Sequence, residues 1–117
     1  MGDNVVETNV YHKDYNLDKN DNINELPTVP AVYGIFAIIH EKPVHCRLVG
    51  ETDNFQQAIR DHFEKPEGEG MTAYMQGPWI KLALYEEIAD EEARKKAVEE
   101  WTKEYDPKID EKGEYPK

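Results

Sequence analysis

Few residues in this chain carry reactive side chains, and they are scattered. Tyr33 sits in an apolar run from Val32 to Ile39, and His62 sits on an otherwise apolar helical stripe. A tyrosine hydroxyl both donates and accepts a hydrogen bond, and an imidazole does the same through its two nitrogens. Each has two readings. Tyr33 is a site residue or a core aromatic on a buried strand; His62 is a ligand or a hydrogen-bonded, partly buried imidazole. His40 and His45 flank a short turn and form either a metal pair or two solvated side chains. Arg47 and Arg60 are the arginines nearest these groups in sequence. Cys46 alternates with His45, which turns the thiol toward the core and away from reactivity. Glu86-Glu87 and Asp90-Glu91-Glu92 cluster at the start of a helix, where carboxylates favour the helix dipole. The bolder reading of that cluster is a weak cation site. Trp79, after Gly77-Pro78, is a recognition aromatic or the anchor of the next strand.

Composition narrows the functions these residues can serve. The chain has 117 residues, of which 38% are apolar and 33% charged, with a net charge of −11. That length suits one domain with a modest core. Strong negative charge opposes non-specific nucleic-acid binding, which needs Lys and Arg on phosphates. It equally opposes a basic membrane-surface helix. A lone cysteine permits neither an intrachain disulfide nor a cysteine-based zinc cluster. The opening residues, MGDNVVETNV, lack the pattern of a signal peptide, and no apolar run is long enough to span a bilayer. A soluble, cytoplasmic protein is therefore expected.

The elements that must position these groups follow from periodicity and punctuation. Residues 1–25 are rich in Asn and Asp and read as a polar arm with a few anchoring contacts; a short strand near Val5 to Tyr11 is the other reading. Ile23 to Leu26 forms one helical turn before Pro27. Val32 to Ile39 is a strand buried on both faces. Val44 to Val49 is its antiparallel partner across a short turn, with His45 and Arg47 on a wet face. Gly50 ends that strand, and Thr52, Asp53 and Asn54 offer an N-cap for a helix to Phe63. Its buried stripe is Phe55, Ala58, Ile59, His62 and Phe63. Met71 to Met75 is a short helix. Trp79 to Ile88 is a third strand, with Ile80, Leu82 and Leu84 alternating against Lys81, Ala83 and Tyr85. Asp90 caps a last helix, buried through Ala93, Ala97, Val98, Trp101 and Tyr105, and Asp106-Pro107 stops it. Residues 111–117 form a charged tail. The expected fold class is α+β, a three-stranded antiparallel sheet flanked by helices.

The order of these elements, with Ala31-Val32-Tyr33 in the first strand and Leu48-Val49-Gly50 in the second, resembles the GIY-YIG nuclease domain. Leu26-Pro27 upstream, the helix start Gly50-Glu51-Thr52-Asp53-Asn54-Phe55, the pair His62-Phe63 and the close Tyr105-Asp106-Pro107 are similar to that family too. The resemblance spans residues 26–110. It implies that active members cleave DNA phosphodiesters with one divalent metal, Mg or Mn, using a tyrosine pair, an arginine and a glutamate. Carried over residue by residue, Tyr33 keeps the first tyrosine. The second falls on Leu48, the arginine on Ala58 and the glutamate on Val98. Arg60 lies about 200° around the helix from Ala58, and Glu99 and Glu100 lie off the buried stripe. Gly50, Thr52 and Asn54 keep the structural part of the motif.

The resemblance therefore implies the scaffold without the chemistry. The leading expectation is a binding or regulatory module without nuclease activity, whose partner is a protein with a basic surface; no cofactor, no metal, no nucleic acid and no membrane enter it. One alternative is a divergent metal-dependent nuclease built on Tyr33, His62 and Arg60 or Arg47. Another is an acidic DNA mimic or inhibitor with carboxylates spaced like duplex phosphates.

Overall fold

The computed structural model describes residues 4–12, 21–39, 42–77 and 81–107. Its elements run β1 (Val6–Val10), a 3-10 turn (Ile23–Glu25), β2 (Ala31–Ile39), β3 (Lys42–Thr52), α1 (Phe55–Glu64), α2 (Glu69–Met75), β4 (Lys81–Glu87) and α3 (Glu91–Tyr105). The strands make one antiparallel sheet in the order β1-β4-β2-β3. The α+β class stands, and the sheet has four strands where three were expected.

The extra strand comes from the segment expected to be an irregular arm. Val6 pairs with Tyr85 and Val10 with Lys81. Its sequence, VETNV, looks polar because β1 is an edge strand with one wet side. Val10, only 2% exposed, anchors it. The Asn-rich character that favours turns is overridden by pairing to β4. Residues 13–20, the tail 111–117, His40 and Trp79 lie outside the described residues, and with them the His40–His45 pair.

β2 is central and buried on both faces, with Ala31 to Phe36 all buried. Successive side chains point to opposite faces. Ala31, Tyr33 and Ile35 join one core cluster with Phe55, Ile59, Phe63, Met71, Tyr74 and Met75 under α1 and α2. Val32 and Phe36 join the other with Cys46, Leu82, Leu84 and Trp101 under α3. The sheet thus lies between two helical layers.

The helix starts follow the caps read from sequence. Asn54 accepts from the Gln57 amide at 3.1 Å, and Asp90 accepts from the Ala93 amide at 2.8 Å. Asp106 adopts φ 48° and closes α3 ahead of Pro107. This left-handed C-cap is tolerated by a short polar residue.

Two local expectations fail for physical reasons. β3 does not alternate regularly, because its register against β2 shifts between Ile35 and Phe36 and again between Phe36 and Ala37. Arg47 and His45 are the unpaired residues, and His45 takes φ 50°. Such bulges re-aim side chains. Cys46 therefore packs under α3 while Leu48 packs under α1. In β4 the expected alternation of Leu82 and Leu84 against Lys81 and Ala83 does not separate buried from exposed, since all four are buried and Lys81 is 1% exposed. The Lys81 Nζ lies over the Phe63 and Tyr74 rings, 5.8 and 5.4 Å from their centres, so α1 and α2 cover it.

Candidate functional site

The start of α1 and the end of β3 form one wall of a cleft of about 410 Å3. Tyr33, Glu51, Thr52, Asp53, Asn54, Gln57, Ala58, Asp61 and His62 line it. The local sequence explains the shape. The Thr52 hydroxyl accepts from the Asn54 amide at 3.0 Å, and the Asn54 side chain caps α1. The chain therefore turns sharply from strand to helix, and the residues just before and after the turn face one another.

Gly50 sits beneath this turn, opposite Tyr33 in the sheet register. A Cβ on residue 50 would lie 3.0 Å from the Tyr33 hydroxyl oxygen and 3.1 Å from its ring Cζ. Glycine here gives the tyrosine ring room to lie across β3. The ring then reaches α1, where its Oη is 2.7 Å from Nε2 of His62. Phe55 meets the same ring edge-on at 6.0 Å.

Burial neutralises this pair. It raises the Tyr33 hydroxyl far above its ordinary value, with Glu51, Asp61 and Glu67 adding to the rise. Burial likewise pushes His62 down to about 4, opposed by the Asp61 charge. At neutral pH neither group is ionised, whichever carries the shared proton. Around them stand carboxylates. Asp61 accepts from Nε2 of the Gln57 side chain at 2.8 Å. Glu51 accepts from Nε of Arg94 at 2.8 Å.

The residues singled out from sequence divide into two groups. Tyr33 and His62 meet, with Ala58, Thr52, Asn54 and Asp61 around them. Arg60 points elsewhere, donating to the Asn24 side chain at 2.6 Å. Arg47 lies over the Tyr74 ring, 5.0 Å from its centre. Leu48 and Ala58 pack on the α1-side core, and Val98 packs on the α3 side, across the sheet from Tyr33. Asp90 of the acidic cluster is a helix cap.

Arg94 was not singled out. It is 5% exposed and donates to Glu51 and to the carbonyls of Ile88 and Ala89. On the helix it takes the inward position next to Ala93, which is exposed. The spacing to Ala97, Val98 and Trp101, three, four and seven residues on, was the available signal. Lys81 is the other missed cation. Burial pushes it down to about 8, and its Nζ donates to the Gly77 carbonyl at 3.0 Å.

Among the described residues no group of three or more His, Cys, Asp or Glu is placed to hold a metal ion. No described helix is long and apolar enough to cross a membrane. Comparison with protein-family models, with curated proteins and with solved structures gives no match to this chain.

Proposed function

We propose that this chain is a GIY-YIG-like domain that binds a partner and does not hydrolyse phosphodiesters. The observation that carries this reading is the charge of the cleft. Glu51, Asp53 and Asp61 line it, and no Lys or Arg is among its lining residues within the described part of the chain. Phosphodiester hydrolysis places growing negative charge on phosphate oxygens, and removing one stabilising donor from such a site costs on the order of 100-fold in rate. A wall of carboxylates repels that charge and attracts a cationic side chain instead. The guanidinium that meets the wall, Arg94, is already engaged by Glu51 and two carbonyls. The partner that fits is a protein presenting lysine or arginine; the net charge of −11 adds long-range attraction.

The Tyr33–His62 hydrogen bond favours a second reading, a divergent nuclease that uses the pair to orient water. One set of assays separates the two. Supercoiled plasmid is incubated with the chain and Mg2+ or Mn2+, and a nona-arginine peptide is titrated into labelled protein. The binding reading expects no nicking above the Tyr33→Phe background. It also expects amide shifts centred on Asp53, Gln57 and Asp61 that weaken in Asp53→Asn/Asp61→Asn. Metal-dependent nicking that disappears in Tyr33→Phe establishes the nuclease instead.

A further inference from the structure

The sheet has two edges, and they are finished differently. At the β3 edge, bulges at His45 and Arg47 interrupt the ladder, a device that spoils an edge as a template. At the β1 edge the ladder is straight from Val6 to Val10. There the outward backbone groups belong to Val5, Glu7, Asn9 and Tyr11, since successive residues alternate. Asn22 covers one half of this edge. Its side chain donates to the Asn9 carbonyl at 2.7 Å and accepts from the Tyr11 amide at 2.8 Å, and its own amide donates to the Tyr11 carbonyl at 3.1 Å. No described residue covers the other half, at Val5 and Glu7.

A groove of about 570 Å3 opens beside that uncovered half, lined by Val6, Pro27, Val29 and Tyr85 with Asn4, Glu87 and Ala89 at its rim. Val6 is 44% exposed, an unusual state for a valine among the described residues of this chain. Glu7 and Glu87 are exposed as well. They lie on opposite faces, because Val6 and Tyr85 pair and side chains alternate from there. The groove shares no residue with the Tyr33–His62 cleft.

We propose that the open half of β1 is a docking edge for an extended segment of a basic partner protein, which adds to the sheet as a further strand. The backbone groups of Val5 and Glu7 hydrogen-bond the segment, about 4.8 Å from β1. One apolar side chain of the segment sits beside Val6 in the groove. Its neighbours in sequence point to the other face, where lysine or arginine meets Glu7; a further cation meets Glu87 at the rim. Charge chooses this occupant over a second copy. Symmetric pairing about Glu7 sets two Glu7 side chains opposite each other, and like charges directly opposed across strands destabilise the pair. Each copy also carries a net charge of −11. The mode is strand addition, in which main-chain bonds give affinity and alternate side chains give specificity.

The test uses the full chain, labelled for amide detection, and a capped nonapeptide alternating lysine and valine. Expected are shifts at Val5 to Asn9, slowed exchange of the Glu7 amide on binding, and unmoved signals at Asp61 and His62. Glu7→Pro deletes an outward donor that β4 does not use, a position where an edge strand accepts proline; it weakens binding at least tenfold. The same peptide with all its backbone nitrogens methylated loses binding to the unaltered chain, which keeps the test decisive if the proline variant misfolds. Equal binding of the methylated peptide, or of one with glycine for valine, overturns the proposal in favour of plain charge attraction. A Glu7 amide already protected in the free chain overturns it in favour of a segment of this chain on the edge. Protection that grows with protein concentration overturns it in favour of a second copy. Shifts confined to Asp53, Gln57 and Asp61 leave the binding module intact and overturn the docking edge alone.

Discussion

The two faces of the sheet hold their helices by different means. On the α3 face one helix lays Trp101, Ala97, Val98 and Tyr105 on Val32, Phe36, Leu82 and Leu84. The buried charge there, Arg94, is satisfied by a carboxylate and two carbonyls. On the α1 face the core is as apolar at its centre, yet it encloses Tyr33, His62 and Lys81, each with its ionised form opposed by burial. Burial also opposes ionisation of Cys46 and Tyr105 on the α3 face, but of all these groups only Lys81 is charged in water at neutral pH, and burying a charge destabilises a small domain. The α3 face is therefore the structural one, and the α1 face carries polar groups whose placement stability alone does not explain. If that division is correct, mutations on the α3 face act on folding, and those at the α1 cleft act on folding weakly and on titration strongly.

The largest effect tests the structural side. Trp101 is fully buried, and Trp101→Ala is expected to destabilise by about 3–5 kcal/mol, read from the denaturant midpoint. Trp101→Phe is expected to lose far less. The indole N–H has no hydrogen-bond partner among the described residues, so the phenyl ring sheds an unsatisfied donor along with some volume. Equal losses in both variants would mean that the indole nitrogen is bonded in solution.

pH gives the next effect, on the other face. The folded His62 value of about 4 lies below its ordinary 6.5. The folded state thus resists the proton that the unfolded state accepts. The neutral imidazole's stabilising contribution is complete above pH 6.5, declines as pH falls, and is gone below about 4. A difference of this size corresponds to roughly 3 kcal/mol over that window. His62→Gln is expected to flatten this part of the stability curve, and an unchanged slope would place the imidazole in water. Arg94→Leu comes next, at about 2–3 kcal/mol. A partner left behind in a buried pair costs more, but Glu51 is partly exposed, at 27% of its side chain, and recovers solvation. The change also leaves the cleft-lining Glu51 carboxylate without its cation, so Arg94 ties the α3 face to the cleft through this one residue.

Sequence showed the α3 face poorly at one residue and the sheet poorly at one strand, for the same reason. Arg94 and β1 both look polar, and both are built in by partners far away in sequence, Glu51 and β4. Periodicity sees the residue and not its partner. Lys81 was missed in the same way, because its burial depends on Phe63 and Tyr74, which are remote or non-periodic with it in sequence. By contrast, the Asn54 and Asp90 caps, β2 and the stripe of α1 are local signals, and they were legible. Of the cleft, Tyr33 and His62 were legible as residues, but their contact was not. It depends on Gly50 letting the ring cross β3, a three-dimensional fact written as one missing side chain.

That missing side chain supplies the smallest and most discriminating test. Gly50→Ala should by propensity stabilise a strand by roughly 0.5–1 kcal/mol. Here the added methyl meets the tyrosine oxygen at 3.0 Å and Cζ at 3.1 Å. The ring cannot swing freely, because His62 holds its tip and Phe55 its edge. Overpacking of this kind costs about 1–3 kcal/mol, so a net loss near 1 kcal/mol is expected. Tyr33→Phe alone removes the hydrogen bond and should cost about 1–2 kcal/mol, since the part-buried His62 loses its partner. The two changes share a contact and therefore should not add. In the phenylalanine background the closer of the two clashes is gone, so Gly50→Ala should cost less than it does alone. The His62 titration should also move toward its ordinary value in Gly50→Ala, because a displaced ring admits water. Strict additivity with an unmoved titration would mean that the ring, its hydrogen bond and the glycine are independent, and the α1 face would then be as plainly structural as the α3 face.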